Sequence, residues 1–312
     1  MEVGRSGDEA LIGIVPNFSE GRRTDVVEAI VDALHVPGAR VVYAEADPDH
    51  NRLDTTVLGS GDAVWASAMA GATKAVELID MFAQTGGHPR MGAVDVIPFM
   101  PLRGITMDEC VSLARDFGKA LAGSLHVPVY LYDRAARSPD RSSLAEVRKG
   151  EFEGLREAVA RGERLPDFGP HEIGRAGATA VGARKPLVAF NVYLDGSDEE
   201  AGKEIARDVR ESSGGLPALR AIAFAVPERG GIVTVSMNLV DHDVTGLRAA
   251  FDAVAERARS HGMEITESEI VGLVPASALG PGDVEYLRLQ GFDPDRQILE
   301  RLMVAMEGER TT

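Results

Sequence analysis

The 312-residue sequence predicts an α+β protein made of two ferredoxin-like βαββαβ subdomains with a cleft or tunnel between them. Two observations carry this. Strand-like and helix-like segments run strand, helix, strand, strand, helix, strand near the N-terminus and repeat that order after residue 186. The length exceeds the roughly 100 to 200 residues of one domain, which makes two cores the default and permits a cleft.

The first unit reads as a strand at residues 10–15, a helix at 25–34, strands at 40–46 and 53–59, a helix at 62–82 and a strand at 93–99. The second helix is the clearest, since Val64, Trp65, Ala68, Met69, Ala72, Ala75, Val76 and Ile79 share one face behind Ser60 as N-cap. These residues, Trp65 included, read as core. The second unit reads as strands at 187–194, 218–226, 232–240 and 265–273 with helices at 197–211 and 247–261. Ser197 with Glu200 spells a capping box, Glu228-Arg229-Gly230-Gly231 a hairpin turn, and Gly262 a helix C-terminal glycine. Between the units lie a helix at 143–159 and a Gly/Pro-rich run from Leu165 to Gly182, which sets the boundary: 1–182 and 183–312. Residues 1–8 and 307–312 read as disordered ends, with a short helix at 297–306 before the latter.

Lysine and arginine number 33 against 49 acids, a net charge of −16 that argues against a nucleic-acid footprint. No run approaches the roughly 20 apolar residues of a membrane span, and the N-terminus lacks a signal-peptide pattern, so the protein is expected in the cytoplasm. Cys110, the single cysteine, excludes an intrachain disulfide and a cysteine-based zinc site. Within this acidic chain Arg52, Arg90, Arg103, Arg184 and Lys185 stand near the distinctive words, a pattern suited to a small anionic ligand.

The most distinctive word is Thr85-Gly86-Gly87-His88-Pro89-Arg90-Met91-Gly92-Ala93-Val94-Asp95-Val96. His88 lies off any apolar helical stripe, among glycines that let backbone approach a ligand and a proline that fixes geometry. Taken alone it is either catalytic or a hydrogen-bonded structural histidine. Around it stand Val15-Pro16-Asn17-Phe18-Ser19-Glu20-Gly21-Arg22, Pro48-Asp49-His50-Asn51-Arg52, Arg103-Gly104-Ile105-Thr106, Val127-Pro128-Val129-Tyr130-Leu131-Tyr132, Pro166-Asp167-Phe168-Gly169-Pro170, Gly182-Ala183-Arg184-Lys185 and Asn238-Leu239-Val240-Asp241.

In this order and spacing, from Val15 to Pro275, these words resemble the glutamate formiminotransferase family, in the monofunctional form without a cyclodeaminase domain. The resemblance implies transfer of a formimino group from N-formimino-L-glutamate to N5 of tetrahydrofolate as co-substrate, without metal, by a homodimer. It makes His88 the acid-base catalyst. A carboxylate beside the cationic amidine is also required, and Glu45 stands where animal members carry aspartate. Asp47, two residues on and on the same strand face, is the alternative, and both also read as exposed strand-end acids. Asn17, Asn51 and Asn238 are candidates for the pterin or the glutamate, or plain turn formers. Arg52, Arg90, Arg184 and Lys185 are the anion partners, arginine offering paired donors. The segment Gly169-Pro170-His171-Glu172-Ile173-Gly174-Arg175-Ala176-Gly177 matches the family's folate loop, one residue shorter here. His242 between Asp241 and Asp243 lacks further ligands at metal spacing. Two alternatives stay beside this reading: formyl transfer between 5-formyltetrahydrofolate and glutamate, and a folate-binding protein without catalysis.

Overall fold

The computed structural model describes residues 10–226 and 229–310, with the backbone alone for 307–310. The chain divides into two compact units, Met1–Arg184 and Lys185–Thr312, and each combines one sheet with helices, the α+β class expected.

In the first unit β1 (Leu11–Ile14) and β2 (Asn17–Phe18) are one run interrupted at Pro16, which has no N–H to give a ladder. After them come α1 (Thr24–Leu34), β3 (Ala39–Asp47), β4 (Arg52–Gly59), α2 (Gly61–Leu78) and β5 (Val94–Arg103). Across the sheet β4 lies between β3 and the β1/β2 run, and β5 flanks that run on its other side, all antiparallel. The last strand of the βαββαβ order thus sits beside the first. Residues 103–183, only partly read from sequence, then supply α3 (Met107–Leu125), β6 (Val129–Asp133), α4 (Leu144–Val147), α5 (Glu151–Ala160) and β7 (Thr179–Ala183). β7 joins β5 in parallel and β6 joins β7, which makes the sheet seven-stranded.

Helices α1, α2 and α3 pack on the sheet through Ile12, Phe18, Leu53, Val57, Val64, Ala68 and Phe117, all buried. Trp65 on α2 is partly buried and meets the Phe117 ring edge-on at 5.2 Å. Ser60 caps α2 by accepting from Ala63 N. The helix stops at Leu78, short of the expected 82, because the Asp80 carboxylate takes Phe82 N and Arg175 O takes Met81 N. The helix expected over 143–159 is two, α4 and α5, broken at Gly150 with φ +82°.

The second unit carries β8 (Val188–Leu194), α6 (Glu199–Val209), β9 (Leu219–Val226), β10 (Ile232–Leu239), α7 (Leu247–Ser260) and β11 (Ile265–Val271). The order across its antiparallel sheet is β11-β8-β10-β9, again with last beside first. Short α8 (Asp283–Tyr286) and α9 (Pro294–Gln297) precede α10 (Leu299–Arg310). The N-cap of α6 is Asp198, not Ser197, since the Asp198 carboxylate accepts from Ala201 N at 3.1 Å. Gly262, φ +71°, follows α7 as expected. Glu228 of the expected hairpin turn, and the expected ends at 1–8 and 311–312, lie outside the described residues. The backbone of 307–310 continues α10 instead of ending it, as propagation of a formed helix adds a hydrogen bond per residue fixed.

Candidate active site around His88

Three segments of the first unit converge on the histidine loop, and backbone contacts fix their meeting. Asn51, with φ +51°, accepts from Gly21 N at 2.9 Å and donates to Thr85 O at 2.8 Å, so one side chain ties all three. Arg22 adds donors to Pro48 O at 2.7 Å and Thr85 O at 3.1 Å. Gly86 passes so close to the β3–β4 turn that a Cβ there would lie 2.3 Å from His50 O. Asn51 is therefore a brace, and its amide is engaged within the chain.

His88 is half-buried. Its Nδ1 lies 2.7 Å from Pro89 O, and a carbonyl can only accept, so Nδ1 carries the hydrogen and Nε2 keeps the lone pair. Burial, then Arg52 and Arg148, push the imidazole down to about 3, so the ring is neutral near pH 7.

Those two cations belong to a buried group around Asp95, which is fully buried. Asp95 accepts from Arg52 Nη1 at 2.9 Å, from Met91 N at 2.9 Å and from Arg148 Nη2. Burial opposes its charge, but the two guanidiniums outweigh it and hold the carboxyl below its ordinary value. Arg52 also donates to Asp54 at 3.0 Å. Arg148 Nε is buried without a hydrogen-bond partner. Asp95, Arg148, Arg22 and His50 were not singled out from sequence. Asp95 stood inside the quoted word, whereas nothing in the α4 sequence pointed Arg148 at it.

Arg90, expected at a substrate carboxylate, has its guanidinium donors engaged inside the unit: by Gln84 through Oε1 and O, by Glu151 and by Glu153. It anchors the loop to α5. The segment 169–177 does reach the histidine loop. Ala93 N donates to Ala176 O at 2.8 Å and Ala178 N to Met91 O at 2.9 Å, and a Cβ on Gly92 would meet Ala178 O at 2.1 Å. Gly177 and Gly169 have φ +71° and +90°, Ile173 is buried, and Arg175 turns to Asp80 and Glu77 O. His171 and Glu172 are exposed, while Pro170 and Ala176 are half-buried and Gly174 is exposed.

On the sheet, Asn17 lies opposite Asp54, Glu45 opposite Asp54, and Asp47 opposite Arg52, so these side chains share one face. Glu45 is exposed and accepts from the Tyr43 hydroxyl. Asp47 holds the His50 ring, whose Nδ1 is 2.5 Å from Oδ2. Arg184 lies at the end of β7, its Nη1 3.7 Å from Met100 S. In the second unit Lys185 pairs with Asp241 at 2.8 Å and Asp243 at 3.2 Å, and Asn238 is exposed on β10. His242 Nε2 lies 2.9 Å from Ser277 Oγ, and no group of three or more metal-type ligands occurs among the described residues. An open depression of about 630 Å³ in the second unit, lined by Thr266, Arg288 and Gln290, contains none of these residues.

The first unit of this two-unit α+β protein thus carries a neutral histidine on a glycine-built loop, backed by Arg52 and Arg148. Residues 11–184 match the formiminotransferase domain, N-terminal subdomain, and residues 189–302 match the formiminotransferase domain. The chain belongs to the formiminotransferase family. A glutamate formimidoyltransferase of Thermoplasma acidophilum is 45% identical over 297 residues, covering 94% of this chain and 97% of its own. One of Streptococcus pyogenes is 39% identical over 292 residues, covering 93% and 97%. The formimidoyltransferase-cyclodeaminase of Sus scrofa is 43% identical over 277 residues, 86% of this chain but 51% of that longer protein. Among the described residues no helix is long and apolar enough to cross a membrane.

Proposed function

We propose that the protein is a glutamate formimidoyltransferase, moving the formimino group of N-formimino-L-glutamate to N5 of tetrahydrofolate and releasing L-glutamate. The observation that carries this for a family member is the His88 tautomer, with Nδ1 tied to Pro89 O and Nε2 left as a base. Attack by N5 on the amidine carbon needs a base for the N5 proton, and a neutral imidazole supplies it.

Glu45 is the carboxylate assigned to the cationic amidine, on the sheet face it shares with Asp47 and Asn17. The Gly169–Gly177 segment is assigned to the folate, because its backbone lies against Met91 and Ala93 of the histidine loop. Arg184, Lys185 and Asn238 are assigned to substrate polar groups, while Arg52, Arg90 and Asn51 act by holding the site. The catalytic groups belong to the subdomain 1–182, with 183–312 as the second. Proton transfer by side chains needs no metal. We take the protein as a cytoplasmic homodimer acting on two small molecules, with neither nucleic acid nor membrane as partner.

The test is an assay with tetrahydrofolate and N-formiminoglutamate, following acid conversion of the product to 5,10-methenyltetrahydrofolate. Turnover is expected, and His88→Ala should lower it by about 10²–10⁴-fold with tetrahydrofolate binding kept. Turnover only with 5-formyltetrahydrofolate and glutamate would replace formimino by formyl transfer.

A further inference from the structure

The β3–β4 turn places a second histidine beside His88. The two ring centroids are 6.3 Å apart, meeting edge-on at 76°. Their relative position is set by backbone: Gly86 lies against His50 O, and Arg22 spans Pro48 O and Thr85 O. Asp47 fixes the turn by accepting from Asp49 N at 2.8 Å and His50 N at 2.9 Å, then grips the His50 ring at Nδ1. The His50 side chain is 40% exposed, open enough to meet a substrate.

The surroundings of the two rings are opposite in sign. His88 faces the field of Arg52 and Arg148. His50 has the Asp47 carboxylate on its Nδ1, which orients the ring and makes Nε2 the nitrogen used for proton transfer in this reading. Paired titratable groups in opposing environments are the usual sign of a divided acid and base. Charged and titratable groups about His50 include Asp47 on β3, Asp49 in the turn, Arg22 and His88 itself.

Resting on the formimino-transfer reading, we infer that His50, held by Asp47, is the general acid that protonates the departing glutamate nitrogen, and that His88 is the base. The N5 lone pair forms the bond to the formimino carbon, and the C=N π pair moves onto the terminal nitrogen. The N5 proton goes to His88 Nε2, giving a neutral tetrahedral intermediate. His50 Nε2 then gives its proton to the glutamate nitrogen, the bond from carbon to that nitrogen breaks with its pair staying on nitrogen, and the terminal nitrogen's pair re-forms C=N. One proton has passed from N5 to His88 and one from His50 to glutamate, and exchange with water resets both rings. A single histidine would have to swing between two nitrogens of one carbon, whereas two rings serve both without moving. Asp47 acts through His50 and is a positioning residue.

The experiment compares the full-length protein with His50→Gln and Asp47→Asn, measuring kcat and KM for both substrates across pH, with thermal melts alongside. His50→Gln is expected to lose about 10²–10³-fold in kcat at nearly unchanged KM, the range of a general acid. It should also lose the decline in kcat that the parent shows as rising pH strips the acid of its proton. Asp47→Asn should lose less and shift that decline to lower pH; this variant decides the matter if His50→Gln fails to fold. Parental kcat and an unchanged pH profile in His50→Gln would overturn the inference while leaving the reaction intact. No turnover by the parent protein would instead overturn the reaction, and with it the inference.

Discussion

Beside His88, the first unit buries a carboxylate between two arginines, whereas the second keeps a comparable group half in water. Asp95 is fully buried with Arg52 and Arg148. Glu269, 31% exposed, accepts from Tyr193 at 2.6 Å and Asn191 at 2.9 Å, with Arg229 stacked on the Tyr193 ring at 4.0 Å. A buried group loses much if one member goes, because the others stay desolvated and unpaired, and it projects its field on neighbours with little screening. A half-exposed group is solvated in its members' absence and can rearrange around a ligand. On the proposed reading, a base on the histidine loop gains fixed geometry and a fixed field from a group of the first kind.

The sharpest way to break the comparison is Asp95→Ala. Leaving Arg52 and Arg148 unpaired should cost about 3–5 kcal/mol, read as a lower urea midpoint, and should abolish turnover with the displaced loop. A loss below about 1 kcal/mol would show the cluster to be as solvated as the Glu269 group.

Next is the response to acid. His88 is depressed from 6.5 to about 3 in the folded protein, so between those values the unfolded chain binds the additional proton. Stability therefore falls as pH drops through that window, and Asp95, also depressed, adds a further loss below its ordinary value of 3.8. His88→Gln should flatten the upper part of the acid limb in urea titrations at successive pH. An unaltered limb would mean that neither burial nor the arginine field depresses the ring.

In the second unit, Glu269→Ala should cost about 1 kcal/mol, since the Tyr193 hydroxyl can turn to water. Smallest of all, Lys185→Ala should change stability by less than about 0.5 kcal/mol, its pairs with Asp241 and Asp243 being exposed and screened by salt. If Lys185 meets a substrate carboxylate, KM rises while the melting temperature stays put.

The ordered alternation of segments and the Ser60 cap were legible because they depend on neighbours close in sequence. α3 went unread, although Thr106 and Glu109 make a reciprocal capping box that the sequence spells as Thr-x-x-Glu. β7 was not legible, because it lies at the end of a Gly/Pro-rich run and becomes a strand only by pairing with β5 and β6. Arg90 shows the same limit within the site. Its place beside His88 suggested a substrate clamp, yet Glu151 and Glu153, about sixty residues away in the chain, take its donors.

From the sequence alone follow the two βαββαβ units, the family words and His88 as the residue to watch, since periodicity, caps and short words are local. Only the tertiary structure decides which of its neighbours act on it. Arg148, just past the end of α4, reaches Asp95 across 53 residues, and the β3–β4 turn carries His50 to the loop. Field and desolvation depend on distance through space, and chain order does not encode that distance until strands and helices have packed.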